Sequence, residues 1–130
     1  MRVQTTATLV LAATLVLAAC GSDAASSPSL AGKPFANEKG KRSITIDAVD
    51  NDFAPAYVTI TKGTTVTFTN RGHNVHNVIA VDDGFGSVAS GFGPGVSRDV
   101  RFDQTGDFPY YCSLHGTATT GMTGGIRVVG

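Results

Sequence analysis

Thr64-Thr65-Val66-Thr67-Phe68-Thr69-Asn70 alternates apolar and polar residues with a period of two. Val66 and Phe68 fall on one face and the threonines at 65, 67 and 69 on the other, the pattern of a half-buried strand. The same alternation appears upstream, where Ile44, Ile46 and Ala48 interleave with Ser43, Thr45 and Asp47. Asp50-Asn51-Asp52 reads as a turn, and Tyr57-Val58-Thr59-Ile60 as a further strand closed by Lys62-Gly63. Downstream, His76 to Val81 forms a short apolar run, and Val96, Val100 and Phe102 mark another strand. Gln104 to Asp107 reads as a turn. Phe108, Tyr110 and Cys112 then share one strand face, and Ile126 to Val129 closes the chain. Asp83 to Gly95 is rich in glycine and reads as a loop, with a short helical turn expected near 86–90. Phe85 and Phe92 in that loop are expected to fill the edge of the fold. These signals predict an all-β sandwich of about seven to eight short strands.

The chain holds ten Lys and Arg residues against ten Asp and Glu, so it is formally neutral. It has no basic run and no tryptophan, and nothing in it points to nucleic acid. Ala7 to Ala19 is apolar, follows Arg2, and is shorter than the roughly 20 residues that span a bilayer. It reads as an export signal. Leu17-Ala18-Ala19-Cys20 resembles the bacterial lipobox, in which the cysteine is lipidated and becomes the first mature residue. The expected organisation is a lipoprotein signal peptide at 1–19, a lipidated flexible tether at 20–42, and one folded domain at 43–130. Multiple acyl chains on Cys20 would hold the protein to the outer face of the cell membrane. Phe35 is a candidate to dock on the domain edge. Lys39, Lys41 and Arg42 read as a solvated charge run.

Lipid on Cys20 leaves Cys112 without a disulfide partner. A lone thiol in an oxidising compartment is a liability unless a metal ties it up. His115 lies three residues beyond Cys112, and Met122 follows on the same loop. His76 lies upstream. One thiolate, two imidazoles and a weak thioether form the donor set of a blue-copper centre. The same thiolate and imidazoles could hold zinc, but the methionine favours copper. The upstream histidine is ambiguous, because His73-Asn74-Val75-His76-Asn77-Val78 repeats itself. The spacing from Asn70 and the apolar run after it favour His76.

Three pieces, in order, carry a family resemblance. Val66 to Asn70 is followed by His76-Asn77-Val78. Thr105-Gly-Asp-Phe-Pro-Tyr-Tyr-Cys112 places Phe108 and Tyr110 in phase with the cysteine. Cys112-x2-His115 precedes Gly121-Met122-x-Gly124 and a closing apolar strand. The domain resembles the small cupredoxins of the plastocyanin, pseudoazurin and amicyanin type. The resemblance implies a Greek-key β-sandwich and a single copper ion held by His76, Cys112, His115 and Met122. It also implies that Asn77 hydrogen-bonds across to the cysteine-bearing segment. One departure stands out: six residues, Gly116 to Gly121, separate His115 from Met122, more than in the familiar relatives. That length bears on whether Met122 reaches the axial position.

The implied role is a one-electron carrier cycling between Cu(I) and Cu(II), not an enzyme, working between an unidentified redox donor and acceptor as a monomer. Extracytoplasmic copper storage or delivery is the alternative. By analogy electrons pass through His115, inside an apolar patch for which Leu114, Pro94 and Phe92 are candidates.

Overall fold

A computed structural model describes residues 27–130. The expected signal peptide and Cys20 lie outside the described residues. Among the described residues ten strands form two sheets: β1 (Ala36–Asn37), β2 (Ser43–Val49), β3 (Asp52–Ala54), β4 (Tyr57–Thr61), β5 (Thr64–Asn70), β6 (His76–Ala80), β7 (Val88–Phe92), β8 (Ser97–Phe102), β9 (Gly106–Gly116) and β10 (Gly121–Val129). One sheet runs β3-β2-β5-β8 and the other β1-β4-β10-β9-β6-β7. β2 pairs parallel with β5, and β4 parallel with β10, so the sandwich is of mixed pairing.

The alternation read from the sequence sets the inner faces. Ile44, Ile46, Ala48, Val66 and Phe68 are buried from the first sheet, and Val58, Ile60, Tyr110, Cys112 and Ile126 from the second. Phe53, Phe68 and Tyr110 meet edge to face, with centroids 4.9 to 6.2 Å apart, an arrangement the ring quadrupoles favour. The Tyr110 hydroxyl donates to the Ala56 carbonyl at 3.2 Å. Burial pushes the pKa of that hydroxyl well above the ordinary tyrosine range, so it stays protonated. Gly124 makes the contact possible: a β-carbon there would run into the hydroxyl and lie 2.6 Å from the Ala56 carbonyl.

Three short strands, β1, β3 and β7, carry no clear signal in the sequence. The expected loop at 83–95 contains β7, which lies along β6 and pairs Phe92 with His76 and Val88 with Val78. The helical turn falls at Val81–Asp83 rather than 86–90. Edge pairing wins because Val88 and Phe92 have apolar space to fill, and Phe92 is only 1% exposed. Phe85 packs against Phe102 at 5.1 Å. Both phenylalanines therefore fill the fold as expected, but Phe92 is too deep to line a surface patch.

Part of the segment expected as tether also packs. Leu30 is buried beside Gly125, where a β-carbon would lie 2.7 Å from its methyl. β1 pairs parallel with β4. Phe35 docks edge-on against Tyr57 at 5.8 Å, with the Arg127 guanidinium 4.2 Å above its ring. The physical reason is the glycine at 125, which opens a slot on the sheet that an apolar residue fills. Lys39, Lys41 and Arg42 are exposed, as a charge run should be.

Gly124→Ala is expected to destabilise the domain by about 1 to 3 kcal/mol through overpacking against Tyr110 and the Ala56 carbonyl. Urea unfolding of the variant and the wild type measures this as a lowered midpoint at unchanged slope.

Candidate metal centre

β10, β9 and β6 are neighbours in one sheet, with β9 in the middle. The four candidate ligands lie on these three strands: His76 on β6, Cys112 and His115 on β9, Met122 on β10. Strand adjacency thus joins residues far apart in sequence.

Each strand end is shaped for the purpose. Asn70 at the end of β5 is buried, and its amide donates to the Asn74 and Phe92 carbonyls at 2.7 and 2.9 Å. Its oxygen accepts from the Gly72 amide at 2.9 Å. Asn70 therefore fixes the 71–75 loop that delivers His76. Between β9 and β10, Gly116 pairs with Gly121 and Tyr111 with Thr123. Four residues of β9, Cys112 to His115, thus face one residue of β10, Met122. The ladder opens into a bulge at this point, and bulges re-aim side chains.

The ligand atoms of His76, Cys112 and His115 all lie within 4.8 Å of one another. Cys112 Sγ is 3.9 Å from His76 Nδ1 and 3.5 Å from His115 Nδ1. Such separations suit donors held about 2.0 to 2.3 Å from one shared ion. His76, Cys112 and Met122 are completely buried, and His115 is half-buried. Burial holds the His76 imidazole below its ordinary pKa, and the neighbouring His115 adds to this, with Asp50 opposing. A neutral imidazole is the form that binds metal. The donor chemistry fits copper: a thiolate and two imidazoles with a buried thioether beside them.

The Asn77 backbone amide donates toward Cys112 Sγ at 3.4 Å. Its side chain donates from Nδ2 to Ser113 Oγ at 2.9 Å and accepts from the Ser113 amide at 2.8 Å. Asn77 thereby ties the two ligand-bearing segments together. The long His115–Met122 connection is a small hairpin. The Thr117 amide donates to the Thr120 carbonyl at 2.9 Å, and Gly121 turns with φ of 77°. A β-carbon at Gly121 would lie 2.6 Å from the His115 carbonyl, so only glycine closes this turn. The extra residues are taken up beyond the bulge, and Met122 stays inside it.

His73 does not join the cluster. Its side chain is 98% exposed, and its Nδ1 lies 3.0 Å from Asp50 Oδ2. Asp50, a turn residue by sequence, has a larger part here. It accepts from the His73 and Asn74 amides at 2.8 and 3.0 Å, and these bonds hold its carboxyl well below the usual range. No periodicity or motif signals that role.

The family model for copper binding proteins of the plastocyanin/azurin family matches residues 41–129. The chain belongs to that family, and the cofactor its four buried or half-buried donors are positioned for is a single copper ion. Chloroplastic plastocyanin of Tetradesmus obliquus is 36% identical over 88 residues, covering 58% of this chain and 57% of the relative. The chain thus spans a little over half the length of that protein. A copper-containing nitrite reductase from Thermus scotoductus is 28% identical with a TM-score of 0.57, over 68% of this chain and 22% of that one. Amicyanin from Paracoccus versutus shares the fold at 22% identity and a TM-score of 0.57, over 67% and 81% of the two chains.

His76→Ala is expected to abolish stoichiometric copper uptake, whereas His73→Ala retains one copper per chain. Elemental analysis of the purified variants after copper loading and gel filtration distinguishes them. The reverse result would assign the ligand to His73.

Proposed function

We propose that this protein carries single electrons between redox partners outside the cytoplasm, through a mononuclear site made by His76, Cys112, His115 and Met122. The observation that carries the reading is the burial pattern: three of these side chains are completely shielded, and His115 alone is partly open. Copper supplies a one-electron Cu(II)/Cu(I) couple in such a donor set. The chain's own residues do the rest. The bulge between β9 and β10 presets the donor positions. Asn77 and Ser113 lock β6 to β9. A donor set held in place by the fold changes little between oxidation states, which favours rapid transfer. Catalytic metal sites keep an open position for substrate, and shielding of His76, Cys112 and Met122 argues for carriage instead.

His115 is the route out. Its neighbour Leu114 is 54% exposed, an unusual position for a large apolar side chain in this domain. Pro94 is also exposed. A small apolar surface suits brief encounters, which bury little area. Near-neutral overall charge leaves no strong long-range steering.

Lipidation of Cys20 would set the geometry at the membrane. Leu30 packs on the sheet ten residues after Cys20. A fully extended chain of that length reaches roughly 35 Å. The domain would then work within that distance of the lipid surface, as a monomer meeting its donor and acceptor there. Cys20→Ser is expected to move the protein from the membrane to the soluble fraction, as read by fractionation and immunoblotting. Retention on the membrane would contradict the anchor.

Cyclic voltammetry of the copper-loaded protein is expected to show a reversible one-electron wave, with fast self-exchange by NMR line broadening. An irreversible wave, together with transfer of copper to a chelating acceptor protein, would favour metal delivery instead.

A further inference from the structure

His76 has two ring nitrogens, and they face different surroundings. Nδ1 faces Cys112 Sγ at 3.9 Å. Nε2 is buried and, among the described residues, has no hydrogen-bond partner. A buried polar atom without a partner is uncommon and calls for a reason. The group facing it is the Asp50 carboxylate, whose Oδ1 lies 3.6 Å away. That separation is longer than a hydrogen bond, so the coupling is that of a charge to a ring.

Asp50 is built into place. It sits on the turn between β2 and β3 and is one-third exposed. Its oxygens accept from the His73 amide at 2.8 and 2.9 Å and from the Asn74 amide at 3.0 Å. His73 Nδ1 lies 3.0 Å from Oδ2, while Oδ1, which accepts from the His73 and Asn74 amides, is the oxygen that faces His76. Gly72 admits the group, since a β-carbon there would run into the carboxylate. One anion therefore bridges both histidines of the repeated His-Asn-Val sequence.

We infer that Asp50 is a positioning residue of the metal centre: its fixed negative charge beside His76 Nε2 keeps Nδ1 as the metal-facing nitrogen and favours the oxidised over the reduced ion, lowering the reduction potential. A neutral imidazole carries one proton, so metal at Nδ1 places that proton on Nε2. An N–H dipole aimed at an anion is favourable, and an anion behind a ligand ring raises its basicity. The attraction is larger when the ring serves the more highly charged ion. Partial exposure of Asp50 moderates the effect without removing it.

The inference rests on the copper reading above, and the experiment separates the two. Asp50→Asn keeps the shape and an oxygen for the loop amides but removes the charge. With the full chain loaded with copper, at fixed pH and ionic strength, voltammetry is expected to show a higher potential. The ratio of Cu(II) to Cu(I) affinity should fall about fivefold, a rise of roughly 40 mV at 59 mV per tenfold. The visible band should keep its energy, and copper should remain at one per chain. Asp103→Asn, in the turn between β8 and β9 and before the end of β9 that lacks ligands, should leave the potential unchanged. A potential in Asp50→Asn equal to that of wild type, with copper and colour retained, would overturn the inference and leave the copper reading intact. Failure of the wild type to bind copper would defeat both. Nitrogen NMR of the reduced wild type needs no folded variant: the inference requires the His76 proton on Nε2, and metal on Nε2 would overturn it.

Discussion

The hydrogen-bonded pairing of Asn77 with Ser113 is the constraint on which the rest depends. The β6–β9 ladder pairs Ala80 with Tyr110 and Ile79 with Tyr111, and then stops short of the ligands. Beyond that point His76 and Cys112 must be free to aim inward, so backbone pairing cannot continue through them. The Asn77 side chain replaces it, with one bond donated and one accepted. Its backbone amide also supplies a donor to the sulfur. Loss of this tie would leave two strand ends free to separate, and with them the thiolate and one imidazole. A net contribution of about 1 kcal/mol per bond is typical, modest for the fold but decisive for a site that depends on sub-ångström placement.

Around that tie the sheet order does the remaining work. β9 lies between β6 and β10, so one central strand meets both outer ligand strands. The β9–β10 bulge opposes four residues to one and gathers Cys112, His115 and Met122. On the other side, Asn70 and Asp50 brace the loop that ends in His76. Two braces and one bulge thus hold sulfur and nitrogen donors facing one another. The hydrophobic core beneath, with Phe53, Phe68 and Tyr110 in edge contact, fixes the strands that carry them.

Much of this was legible in the sequence, for identifiable reasons. β2 and β4 alternate along their length, and β5 does so up to Phe68, because each has one face on the core. Cys112, His115 and Met122 stand out because soft donors are scarce. The short strands β1, β3 and β7 were hidden: two or three residues carry no period, and β7 is interrupted by Gly91 within a glycine-rich stretch. Leu30 was hidden too, since its partner is an absent side chain at Gly125. Asp50 looked like turn chemistry because its role comes from a loop 23 residues away. The length of the His115–Met122 connection is absorbed in the backbone pairing. Gly116 and Gly121 close a hairpin outside the bulge, so added residues need not displace the methionine.

Titration of the metal-free protein with Cu(II), followed by visible absorption, tests the central claim most directly. Convergence of Cys112, His76, His115 and Met122 on one ion predicts an intense sulfur-to-copper band that grows linearly and saturates at one equivalent. A colourless protein at saturation, or a band that persists when Cys112 is replaced by serine, would contradict it.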